Sequence, residues 1–282
     1  MPAVSITRML ADTNAAPLGE RRAVAGVVVL GWEDARAYVD AAEEVGCPLI
    51  LQAGPGARAH MPVNLIGPMM RHLADAASVP VAVHFDHGKA LDECIAGLEH
   101  GFTSIMYDGS LLPVDENIAT SCKIAEAARS ANASFEGEVG VVGYTDGAAS
   151  HGTSVEEVAR YDAAVEPDAL AISIGNVHLQ QEKAATIDRE LLTEIEARTT
   201  APLVLHGGSG IANIDRRWLA ANSRVAKFNI GTELRMAFGK SLRDGLAAEP
   251  DQFDRNRILQ ATMDPVKATA IDVLRGLWEP SA

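Results

Sequence analysis

The chain has 282 residues, 24 of them basic and 38 acidic, for a formal net charge of −14. That balance excludes a partner held mainly through phosphate-backbone charge, as nucleic acid is. No run of about 18 apolar residues offers a membrane span, and three widely spaced cysteines without a CxxC exclude a disulfide framework or a cysteine-rich zinc site. A reducing, cytoplasmic setting is expected, and the N-terminal stretch lacks the basic start and long apolar core of a signal peptide.

Residues 5–14 read as a short lead-in helix. A rhythm of apolar, β-branched runs and helical stretches follows. The runs are 23–30, 48–52, 81–85, 104–107, 134–139, 169–174, 202–205 and 225–230. The helical stretches between and after them are 33–44, 63–77, 91–100, 114–131, a segment opening at Ser154 with a capping signal, 189–198, 213–222 and 233–247. About eight strand-then-helix units in this length predict a single-domain (β/α)₈ TIM barrel, with its site at the C-terminal strand ends. An open doubly wound sheet is the alternative, but GxGxxG is absent after the first strand. Residues of about 250–282 are expected as a helical extension, with Pro265 opening the last helix.

The third run ends in His84-Phe85-Asp86-His87-Gly88. His84 and Asp86 share one face of an extended chain, and His87 faces away unless the strand ends there. By itself this is either a metal ligand beside a proton-transfer group or a helix start capped by Asp86. The other strand ends carry Asp108, then Glu136 and Glu138 on one face, then His178, His206 and Asn229. Ionisable groups at successive strand ends converge on one mouth of a barrel. His87, His178 and His206 together make a His₃ set suited to catalytic zinc. Gly207-Gly208-Ser209-Gly210 and Asn229-Ile230-Gly231-Thr232 follow strands seven and eight, where barrels hold phosphate. Lys183 is either a further positive contact or a solvated loop lysine. Cys94 reads as a packed small hydrophobe; Arg58 and Arg275 are each either an anion contact at the distal end of the substrate or a surface arginine, and the surface reading is preferred.

The motifs HFDHG, MYDGS, EGEVG, IGNVH, LHGGSG and NIGTELR, in this order and spacing, resemble the class II ketose-bisphosphate aldolases, chiefly the shorter branch with tagatose- and fructose-bisphosphate aldolases. The likeness runs from about residue 23 to Pro265. It implies a catalytic zinc on His87, His178 and His206, with Glu138 and Asp108 as acidic groups able to hold the metal in a second position. It implies that Asp86 handles the C4 hydroxyl proton, and that Gly207, Gly208, Ser209, Asn229, Gly231 and Thr232, with Lys183, hold the dihydroxyacetone-phosphate half. His84 is left to support Asp86 or a ligand from behind. A second divalent or a monovalent cation, and a homodimer or homotetramer, are further family features.

Four positions depart from the family pattern. Val28 stands where an asparagine ends the first strand, and Gly54 where a substrate-facing serine is common. Leu179 replaces a glycine after the zinc histidine. Asp146 stands where a mobile loop carries a glutamate acid/base. The expected activity is metal-dependent, reversible retro-aldol cleavage of a ketose (bis)phosphate into dihydroxyacetone phosphate and an aldehyde. The departures point to an acceptor other than glyceraldehyde 3-phosphate. A metal-dependent barrel hydrolase and a non-catalytic aldolase-like subunit are the alternatives.

Overall fold

A computed structural model of the chain describes residues 2–143 and 151–279. Eight parallel strands close into a barrel in chain order, each hydrogen-bonded to the next and the last to the first. They are β1 (Val24–Val28), β2 (Leu49–Ala53), β3 (Val81–Gly88), β4 (Ser104–Tyr107), β5 (Ser134–Val139), β6 (Ala169–Ile172), β7 (Leu203–Leu205) and β8 (Val225–Ile230). Their residues are buried on both faces, as strands between a barrel interior and a ring of helices must be.

The helices are α1 (Ile6–Ala15), α2 (Trp32–Val45), α3 (Pro55–His60), α4 (Val63–Ala76), α5 (Leu91–Glu99), α6 (Val114–Ser130), α7 (Val155–Val165), α8 (Arg189–Glu196), α9 (Asn213–Asn222), α10 (Thr232–Ala248), α11 (Arg255–Gln260) and α12 (Met263–Trp278). Their ends follow the local chemistry. Ser154 caps α7 by accepting from the Glu157 amide, Asp188 caps α8 by accepting from Leu191, and Gly46 closes α2 in the left-handed region at φ 71°. The short helix α3 has no counterpart among the helical stretches expected from the sequence, where nothing stands between the run 48–52 and the helix 63–77; Pro55 opens it as an N-terminal helical proline.

The apolar core has two parts. The larger lies between sheet and helices. The smaller lies inside the barrel, where Ile6, Met9 and Leu10 of α1 plug the N-terminal end against Val24, Ile50 and Ala82. That plug leaves the opposite end as the open mouth. At the C-terminus, α12 buries Val266, Ala270, Val273, Leu274 and Leu277 and packs on α2, α9, α10 and β1. It therefore completes the helical ring, while α10 leans out with only Leu234 fully buried.

Candidate active site

The site begins with an irregularity in β3. Its register with β4 shifts between Phe85 and Gly88, and His87 takes a left-handed φ of 52°. Strand alternation would turn His87 away from Asp86; the bulge brings both to the mouth. Arg58 of α3 holds the bulge open. Its guanidinium donates to the carbonyls of Ala53, Asp86 and His87 and stacks 3.7 Å over the Phe85 ring. Its side chain is only 7% exposed, so the expectation of a surface arginine is corrected. Arg275 is on the surface, paired with Glu279.

His87, His178 and His206 converge, with ring centroids 4.5 to 5.5 Å apart. His178 arrives on the loop after β6, where Gly175 adopts φ 101° and Asn176 donates to the carbonyls of Ile172 and His206. His206 ends β7. One nitrogen from each of the three rings lies within 4.8 Å of the others.

The donor set fits a divalent metal. An ionised carboxylate only accepts hydrogen bonds, so His87 Nδ1 donates to Asp108 at 2.8 Å and His206 Nε2 to Glu136 at 3.4 Å. That leaves His87 Nε2 and His206 Nδ1 facing each other at 2.9 Å. Two lone pairs so placed need a cation between them. Nitrogens sharing a tetrahedral zinc lie about 3.3 Å apart, close to this separation. Without metal, a proton fills the gap. Burial alone pushes the His87 imidazole down, but Asp86, the bond to Asp108 and the nearby Glu138 outweigh it and bring it to about 9. Burial and the His87 charge hold His178 down at about 4.

Asp108 and Glu138 differ in readiness to bind metal. Asp108 accepts from His87 and Lys89 on one oxygen and from Ser110 on the other. Glu138 Oε2 is buried with no hydrogen-bond partner, 3.7 Å from His87 Nδ1, and burial beside Asp108 pushes its carboxyl up to about 8. His87, Asp108 and Glu138 form a second group of donors, but Asp108 must first release its present partners to join it.

Asp86 is gripped at both oxygens, by Asn229 Nδ2 at 3.2 Å and Gln52 Nε2 at 3.4 Å. Burial favours its neutral form, but His87, His206 and Lys227 prevail and hold it below the usual carboxylate range. It is thus an oriented anion at the rim of a cavity of about 310 Å³. Nothing in the sequence singled out Gln52 or Lys227. The available signal was polar residues on the inward face of apolar strands, as in Val225-Ala226-Lys227-Phe228-Asn229-Ile230.

One end of this cavity is lined by Gly207, Ser209, Asn229, Gly231 and Thr232. Ser209 Oγ accepts from the amides of Gly231 and Glu233, both at 3.3 Å, and so satisfies open N–H groups at the start of α10. Its own proton remains available to the cavity. Gly207 sits at φ 63°, and a Cβ there would come within 2.2 Å of the Val177 carbonyl oxygen. Gly208 packs beneath the loop against Ile230 and does not line the cavity. Lys183 does not line it either: its ammonium is taken by Asn213 and by Glu233 at 3.4 Å. The other end is walled by Val28, Leu30, Gly54, Pro55 and Leu179, with Arg235 beside them. Leu179 has φ 59°, so the side chain that departs from glycine sits in the conformation glycine favours. His84 does not orient Asp86 closely, at 3.9 Å; it bonds Ser104 and Lys227 deeper in the barrel. Asp146 lies outside the described residues. Cys94 is buried with its thiol pushed up to about 12, consistent with a packing role.

The sequence matches the family model for fructose-bisphosphate aldolase class-II over residues 5–278. It is similar to the fructose-bisphosphate aldolase of Mycoplasma pneumoniae, 39% identical over 242 residues covering 83% of each chain. The probable fructose-bisphosphate aldolase of Bacillus subtilis is 34% identical over 282 residues, 98% of this chain and 97% of that one. Among solved structures the fold is similar to the YdjI aldolase from Escherichia coli K12, with a TM-score of 0.83, 27% identity, and coverage of 99% of this chain and 98% of that one. Among the described residues no helix is long and apolar enough to cross a membrane.

Proposed function

This chain belongs to the class II fructose-bisphosphate aldolase family, and from that premise we propose that it is a zinc-dependent lyase cleaving a ketose phosphate to dihydroxyacetone phosphate and an aldehyde. The observation that carries the reading is the doubly gripped, ionised Asp86 beside three convergent histidines. His87, His178 and His206 would hold a zinc ion, which when bound would supply Lewis acidity to the substrate's oxygens. Asp86 takes the C4 hydroxyl proton, the C3–C4 bond breaks, and the electron pair moves onto the donor half as an enediolate. Gly207, Ser209, Asn229, Gly231 and Thr232 hold the phosphate of that half against the start of α10, where backbone N–H groups and the helix dipole favour an anion. Asp146 is assigned the return of a proton to C3, on the family resemblance. Glu138 offers the metal an alternative carboxylate, aided by Asp108 if its hydrogen bonds yield.

Val28, Leu30 and Leu179 give the acceptor end an apolar wall, which supports an aldehyde other than glyceraldehyde 3-phosphate. We place the enzyme in the cytoplasm as a homodimer or homotetramer, on its family and its free cysteines.

The test is release of dihydroxyacetone phosphate from a panel of ketose mono- and bisphosphates, before and after chelation. Activity lost to chelator and restored by zinc is expected. Zinc binding with no turnover of any ketose phosphate overturns the lyase reading in favour of a non-catalytic relative.

A further inference from the structure

Behind His206 the barrel is filled with charge where most of its interior is apolar. His206 Nε2 lies 3.4 Å from Glu136 Oε1, and Glu136 Oε2 lies 2.7 Å from Lys227 Nζ. Lys227 Nζ also lies 3.2 Å from His84 Nε2, and His84 Nδ1 is 2.7 Å from Ser104 Oγ. His206, Glu136, Lys227 and His84 are all fully buried.

Proton accounting fixes the direction of every bond. An ammonium only donates and a carboxylate only accepts. His84 Nε2 therefore accepts from Lys227, and its Nδ1–H donates to Ser104. Glu136 accepts from Lys227 on one oxygen and from His206 Nε2–H on the other. The His206 lone pair is thereby left on Nδ1, the nitrogen that faces His87. Stability does not account for this arrangement: a buried ion pair is often no better for folding than apolar side chains of the same volume. The neighbouring interior positions Met106, Ala171 and Val204 are apolar.

We propose that Glu136 and Lys227 are positioning residues that lock His206 as its Nε2–H tautomer and so present its Nδ1 lone pair to the metal. Glu136 supplies the acceptor, and Lys227 holds the second carboxylate oxygen so that the first is aimed at the ring. The inference rests on the reading of His87, His178 and His206 as metal holders.

Two measurements on the full chain test it. The first is zinc affinity of the metal-free protein by chelator competition, with thermal unfolding alongside, for the parent and for Glu136→Gln/Lys227→Met. That pair removes both charges at similar volume. The expected result is an unfolding temperature near the parent's with zinc affinity weakened by about 10- to 100-fold. A folded double variant that binds zinc as tightly as the parent overturns the inference alone. A parent that binds no zinc overturns the metal reading and the inference with it. The second measurement needs no substitution in the pair: imidazole ¹⁵N spectra of the metal-free parent, with the His206 signals assigned through His206→Asn. An Nε2–H tautomer is expected, and an Nδ1–H tautomer overturns the proposal.

Discussion

Asp86 and Leu179 represent two ways a single residue shapes this site. Asp86 is useful because amides from two strands hold its carboxylate and the surrounding cations keep it charged. Replacing it with asparagine removes the proton acceptor while preserving size. Asp86→Asn should lower kcat by about 10²- to 10⁴-fold, the range typical of a lost general base, with zinc content unchanged. Near-parental turnover in a zinc-loaded variant would remove Asp86 from its assigned role. Leu179 is held at φ 59° with nearly half its surface exposed, so little packing offsets the strain. A non-glycine residue there costs about 1–2 kcal/mol. Leu179→Gly should raise the unfolding temperature by about 2–4 °C, the shift that about 1 kcal/mol produces in a chain of this size class. Both positions were legible in the sequence, one as a motif member and one as a departure. The amides around Asp86 were not, because Gln52 comes from the adjoining strand β2 and Asn229 from β8, and only pairing register and barrel closure bring them to it.

At the scale of elements, the bulge at the end of β3 does the decisive work. It places two consecutive side chains at one mouth, which a regular strand forbids. Arg58 stabilises it by donating to three carbonyls at the ends of β2 and β3. Arg58→Met keeps the stem over Phe85 and removes the donors. We expect a loss of about 2–3 kcal/mol in urea unfolding, from the lost charge-assisted hydrogen bonds, together with weaker zinc binding as His87 loses its position. An unchanged denaturation midpoint would show that the bulge stands without it. The strands and most helices were readable from apolar runs and caps. The turn α3 was not, since proline and glycine signal a break without saying whether a helical turn follows.

Over the whole molecule, a chain of net charge −14 concentrates acidic groups around one imidazole. Asp86, Asp108 and Glu138 hold a proton on His87 up to a pH of about 9, against the opposing effect of burial. A metal must displace that proton, and the neutral ring is the form that binds. Zinc affinity should therefore rise about tenfold per pH unit from about 7 to about 9 and then level off. The sign follows from the raised value: below it the proton competes, above it the site is free. Calorimetry in buffers of different ionisation enthalpy would count the released proton. Affinity independent of pH across that interval would exclude His87 as a ligand.

The sequence alone determined the barrel, the three histidines, Asp86 and the glycine loops after β7 and β8. Each is encoded locally, in a run of apolar residues or a motif at a strand end. Only the tertiary structure decided which neighbours those residues have. It turned Arg58 inward, spent Lys183 on Glu233 and Asn213, took Gly208 out of the cavity lining, and set Glu136 and Lys227 behind His206. The reason is geometric. A strand specifies which face a side chain takes, but closure of eight strands sets which residues from distant strands share a layer, and hydrogen bonding then assigns each proton.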